Sequence, residues 1–140
     1  MNEKIDKVKQ WIEKADHDLG TAEVTYLYIP KYRDTIVFHC QQAVEKYLKG
    51  YLFFLDIPFK RHHSLNYLLS LISQKDEISN DLFDQASALE DFAVDIKYPD
   101  TTIELSEEDI HQAVKVSKDF RKFVLSRMSL SIEYEEFKKE

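Results

Sequence analysis

The apolar positions of this chain follow a helical period almost from end to end. Ile5, Val8, Ile12, Ala15, Leu19, Ala22 and Tyr26 recur at alternating steps of three and four, one stripe along a helix. Gly20 lies inside that run and costs about 1 kcal/mol against alanine, too little to outweigh so regular a stripe. Pro30 stops the helix, since proline disfavours helical geometry in the residue before it. A second run, Asp34 to Leu55, carries Ile36, Val37, Cys40, Ala43, Val44, Tyr47, Leu48, Tyr51, Leu52 and Leu55 over an arc of roughly 180°. So wide an arc marks a central helix. Phe38, His39, Gln42, Glu45, Lys46, Lys49 and Phe53 fall on the other side, the expected outward face, and Asp34 is the expected N-cap.

The rest of the chain repeats the pattern. Asp56–Arg61 reads as a loop around Pro58. A short helix follows, capped by Ser64, with Leu65, Leu68, Leu69 and Ile72 inward. Another spans about Asn80–Ile96, with Leu82, Ala86, Leu89, Ala93 and Ile96 on one stripe, and Tyr98-Pro99-Asp100 ends it. The last starts after Ser106, where Glu107, Glu108 and Asp109 suit the positive end of the helix dipole and Ser106-x-x-Asp109 approximates a capping box, whose usual partner is Glu or Gln. Ile110, Ala113, Val114, Phe120, Phe123 and Val124 continue its apolar face. These elements predict an all-α protein, an up-and-down antiparallel bundle of about five helices. Residues 1–130 form one domain, and 131–140 form a charged tail expected to fray from Glu133 onward.

Composition narrows the classes. With 140 residues and 44% hydrophobic content the chain can bury a core and is not disordered. Two glycines and three prolines are too few for the turns of a β-sandwich. Cys40 stands alone, which excludes a disulfide framework and a four-cysteine zinc site. No apolar run spans a membrane and MNEKIDKVKQ is no signal peptide, so a soluble cytoplasmic protein is expected. The formal charge of −7 means that any nucleic acid would have to meet a local basic patch.

The second helix holds the candidate chemistry. His39, Gln42 and Lys46 stand at i, i+3 and i+7, with Lys49 and Glu45 beside them as a favourable i,i+4 pair. An imidazole, an amide and an ammonium in one row can grip a phosphate or a nucleotide; a plain solvated face has the same composition. Phe38 and Phe53 on that face suggest contact with a second copy. Arg33-Asp34-x4-His39 joins a phosphate-binding group to a proton carrier, a pair that could cleave RNA without metal. Arg61-His62-His63 is a local positive spot, but adjacent histidines diverge, so neither a metal nor a cofactor is expected. Cys40 reads as core, and His17 and His111 as surface positions. The sequence has no glycine-rich phosphate loop.

The string Phe38-His39-Cys40-Gln41-Gln42-Ala43-Val44-Glu45-Lys46-Tyr47-Leu48-Lys49-Gly50 resembles the signature F-H-x-Q-Q-A-x-E-K-x-L-K-A of the HEPN family (higher eukaryotes and prokaryotes nucleotide-binding). His63-Ser64-Leu65 with Leu68-Leu69 is similar to its H-[DS]-L-x-x-L-L. Lys97-Tyr98-Pro99-Asp100 is similar to its R-Y-P-D, with lysine for arginine, and Ala15, Asp18 and Leu19 fit its first helix. The resemblance implies a helical bundle, usually a homodimer, often paired with a minimal nucleotidyltransferase. It implies nucleotide binding, for which His39, Gln42, Lys46, Lys49, His63, Lys97, Tyr98 and Asp100 are the candidate residues. It also implies a nuclease alternative, a metal-independent RNase of toxin–antitoxin or defence systems with Arg33 and His39 catalytic. A purely structural dimerisation module is the third reading.

Overall fold

A computed structural model of the chain describes residues 2–61, 64–95 and 104–137, and in it each stripe becomes a helix. The elements are α1 (Asn2–Tyr28), α2 (Arg33–Phe54), α3 (Leu65–Ile72), α4 (Asn80–Asp95) and α5 (Glu107–Met128), with no strand among the described residues. The fold class is therefore all-α, as the periodicity predicts. α2 is the hub: it packs most extensively on α1 and also meets α3, α4 and α5.

The helix ends follow local chemistry. Ser64 caps α3 by accepting from the Tyr67 amide, and Ser106 and Asp109 close a reciprocal capping box on α5. α1 stops at Tyr28, two residues before Pro30. The expected Asp34 cap is corrected: α2 begins at Arg33 behind Tyr32, which makes no side-chain cap bond, and Asp34 lies in the first turn, where its Oδ1 accepts from the Thr35 amide. Acidic charge there still suits the helix dipole.

The core joins the predicted stripes. Val8, Ile12, Ala15, Leu19 and Ala22 of α1 are buried, as are Ile36, Val37, Cys40, Val44, Tyr47, Leu48 and Leu52 of α2. α3 adds Leu65, Leu68, Leu69 and Ile72; α4 adds Ala86, Leu89 and Ala93; α5 adds Ile110, Ala113, Phe120 and Val124. Burial raises the Cys40 thiol to about 12, so it is core rather than nucleophile.

The tail does not fray as far as it is described. After Met128, Ser129 takes a left-handed conformation (φ 55°) and ends α5. Residues 130–137 then run back over α1 and α5 as a strap without helix or strand. The Ile132 carbonyl accepts from Arg121 Nη2 at 3.0 Å, and the Arg121 guanidinium lies 5.0 Å from the centre of the Tyr134 ring. A Cβ on Gly20 would stand 3.1 Å from the Phe137 ring, so this glycine leaves room for the strap. Ile132, Tyr134 and Phe137, three apolar residues among acids, anchor what composition alone reads as solvated.

Candidate functional site

α1 and α2 meet along small residues. Gly50 sits on the seam, and a Cβ there would lie 3.0 Å from Trp11 Cβ; glycine in mid-helix allows the two backbones to approach. Either side of that seam carries an ionic clamp. On α1, Asp16 and Asp18 each stand about 80° from the centre of the apolar stripe, on opposite flanks. Each carboxylate reaches across to α2.

Asp18 takes the row that the sequence singles out. Its Oδ1 meets His39 Nδ1 at 2.9 Å, and its Oδ2 accepts from Lys46 Nζ. His39 and Lys46 therefore stand one above the other on α2, seven residues apart, with one carboxylate between them. Their side chains are 26% and 27% exposed and that of Asp18 14%, so the row lies in the helix–helix junction and not on an open face. The expected outward face is corrected in this respect: α1 covers its edge. An ionised carboxylate only accepts, so the bond puts the imidazole proton on Nδ1 and leaves the lone pair on Nε2 when the ring is neutral.

The rest of the row has separate surroundings. Gln42 is half-buried and makes no side-chain hydrogen bond to the described residues. Lys49 Nζ lies 3.6 Å from Glu45 and 5.8 Å from the centre of the Phe59 ring, and its side chain is only 12% exposed. Gln41, which the periodicity leaves unassigned, is buried and donates to Glu90 Oε2 at 2.9 Å. Among the described residues no shared partner joins Arg33 to His39. It is exposed and its Nη1 donates to the Leu105 carbonyl, just ahead of α5. Phe38 is exposed, with its ring edge-on to His39, whereas Phe53 packs against the core. His62, His63, Ile96, Lys97, Tyr98, Pro99 and Asp100 lie outside the described residues.

The opposite flank holds a network that the motifs do not mark. Tyr47 Oη donates to Asp16 Oδ1 at 2.5 Å, and Arg121 of α5 donates to both Asp16 oxygens at 2.8 and 3.1 Å, a two-point grip. Burial opposes the Arg121 charge, but the bonds to Asp16 outweigh it and move its pKa up. Tyr134 donates to Glu23 Oε1, and Lys118 Nζ lies 2.8 Å from Glu23 Oε2. Burial first, then the bonds to Asp16 and Glu23, push the Tyr47 and Tyr134 hydroxyls well above the ordinary tyrosine range. In the sequence Asp16, Glu23 and Arg121 look like ordinary surface charges; the signal that could find them is their place on the flanks of the α1 and α5 stripes.

Among the described residues no cluster of His, Cys, Asp and Glu could hold a metal ion, and no helix is long and apolar enough to cross a membrane.

A family model described as "HEPN domain" matches residues 8–128. Among solved structures, ST0689, an archaeal HEPN homologue, is similar at 27% identity with a TM-score of 0.69, over 86% of this chain and 97% of that one. TT1696 from Thermus thermophilus aligns over 86% of this chain and 98% of its own, at 22% identity and TM-score 0.74. A HEPN domain protein, tm0613 of Thermotoga maritima, covers 91% and 98% at 19% identity and TM-score 0.57. The last two likenesses speak to the fold alone. No curated protein matches the sequence.

Proposed function

The chain belongs to the HEPN domain family, and from that premise we propose that it is a non-catalytic binding module: a homodimer that binds a nucleotide, a minimal nucleotidyltransferase, or both. The observation that carries the protein-binding part is the concentration of exposed apolar side chains between residues 24 and 38. Val24, Tyr28, Ile29, Tyr32 and Phe38 all belong to the end of α1, the turn and the start of α2. Such a group on a small chain fits a protein interface. The Asp18 clamp supports a non-catalytic reading of the α2 row. Lys46 is already neutralised there, so a phosphate at that row would have to displace a carboxylate.

Sedimentation of the full chain tests the reading, together with co-purification of a nucleotidyltransferase encoded beside it. The native chain is expected to sediment as a dimer, and Tyr32→Glu with Phe38→Glu to sediment as a monomer. A native monomer that retains no nucleotidyltransferase would remove the proposal.

The nuclease reading has one observation of its own. Asp18 orients His39 through Nδ1 and leaves Nε2 able to take a proton, the arrangement of a general base. It requires RNA cleavage in EDTA that disappears in His39→Ala. Intact RNA after incubation with micromolar protein would dismiss it.

A further inference from the structure

The negative charge of this chain is gathered in one stretch. Residues 76–110 carry twelve acids against a single basic residue, Lys97, whereas the rest of the chain carries fourteen acids against eighteen lysines and arginines. That stretch builds α4 and the first turn of α5. Both helices lean on α2 more than on each other, and a groove of about 330 Å³ opens between them. Its floor is apolar, with Ala88, Leu89 and Phe92 from α4 and Ala113 and Val116 from α5.

We propose that this groove docks a cationic amphipathic helix of a protein partner, its apolar stripe on the floor and its lysines or arginines against the rims. On α4, Asp84 and Asp91 stand seven residues apart on one flank. Both are exposed, and among the described residues no lysine or arginine holds either. On α5, Glu108 accepts from Gln112 at 3.4 Å, and Lys115, next to the floor residue Val116, is already held by Asp119 at 3.0 Å. The groove also has an acceptor without a donor. Gln85 on its wall gives its amide proton to Asp81 at 2.9 Å and leaves Oε1 buried with no hydrogen-bond partner. An entering ammonium or guanidinium supplies that donor. The acids repel polyanions, so nucleic acid and anionic lipid do not fit the face. A second copy offers no such helix, because the exposed large apolar side chains on this chain's own helices, Val24, Tyr28 and Phe38, have no row of lysines beside them. None of the α2 row and none of the Val24–Phe38 group lines this groove, so the inference goes beyond the proposed function and fails separately from it.

Fluorescence anisotropy with the full chain and a labelled synthetic helix, leucine on one stripe and lysine on both flanks, tests it. The helix is expected to bind with an affinity that falls with salt, and a scrambled peptide of the same composition at least tenfold more weakly, since only an ordered stripe reaches the floor. Ala88→Trp fills the groove from an exposed position and leaves every acid in place, and should weaken the helix at least tenfold. Asp84→Lys with Asp91→Lys should do the same, whereas Glu13→Lys with Glu133→Lys, an equal charge reversal at exposed positions elsewhere, should not. Circular dichroism melts establish that each variant is folded. No binding at about 100 μM helix, equal binding of the scrambled peptide, or binding that Ala88→Trp leaves intact would overturn the proposal.

Discussion

Asp16 and Asp18, two residues apart on α1, hold opposite flanks of α2: Asp16 through Tyr47, and Asp18 through His39 and Lys46. Two residues turn a helix by about 200°, so one short stretch of α1 can clamp both edges of a packed seam. The clamps fix the rotation of α2 about its own axis, which the apolar contacts between them leave less strictly defined.

The Asp18 clamp is asymmetric under mutation. Asp18→Ala strands both His39 and a largely covered Lys46 ammonium, and is expected to cost roughly 1–3 kcal/mol. Lys46→Met leaves Asp18 paired with His39 and keeps the aliphatic stem, and should cost no more than about 1 kcal/mol. Urea midpoints of the two variants test the difference; equal losses would show that the carboxylate is not the shared element.

The two glycines should answer oppositely to alanine. At Gly50 the new methyl meets Trp11 Cβ, which is anchored to α1, so overpacking of roughly 1–3 kcal/mol outweighs the helix propensity gained. At Gly20 it meets the far edge of the half-exposed Phe137 ring, which can swing aside, so the gain of up to about 1 kcal/mol should prevail. Thermal melts of both variants read the sign directly.

Removing the strap should be felt far from the tail. A chain ending at Ser129 loses the Ile132 carbonyl and Tyr134 ring from Arg121, and the Tyr134 hydroxyl from the buried Glu23. Tyr134→Phe removes only the last of these and should cost about 1–2 kcal/mol. Hydrogen exchange should rise around Asp16–Glu23 in the truncated chain; protection unchanged there would mean that the strap stabilises nothing beneath it.

Alkali should weaken the fold. Burial raises the Cys40 thiol from 9.0 to about 12, so between those values the unfolded chain gives up a proton that the folded chain keeps. Its contribution is therefore whole below pH 9 and declines as pH climbs toward 12. Tyr47 and Tyr134, also shifted up, add to the decline above about pH 10. Urea midpoints from pH 8 to 11 should fall, and less so in Tyr134→Phe, which has no proton to lose there. Thiol reagent at pH 8 should label Cys40 only on unfolding.

Much of the fold is legible because it is repetitive. The stripes of α1 and α5 and the caps Ser64 and Ser106 depend on neighbours three or four residues away, which a sequence displays. Periodicity finds the α2 row but leaves it more open than it is. An apolar arc says which side of a helix is greasy; it does not say how closely a neighbour rolls over the arc's edge, and Gly50 is the clue that α1 comes close enough to cover His39 and Lys46. Asp16, Arg121 and Tyr134 escape because their partners lie about a hundred residues away, and no local pattern encodes such a meeting.

That long reach has a temporal side. Asp16 waits 105 residues for Arg121, and Glu23 waits 111 for Tyr134. During synthesis the α1–α2 hairpin can assemble with Asp16 held by Tyr47 alone and Glu23 facing water, so the earliest-made surface reaches its mature electrostatic state only when the strap has emerged and closed over it.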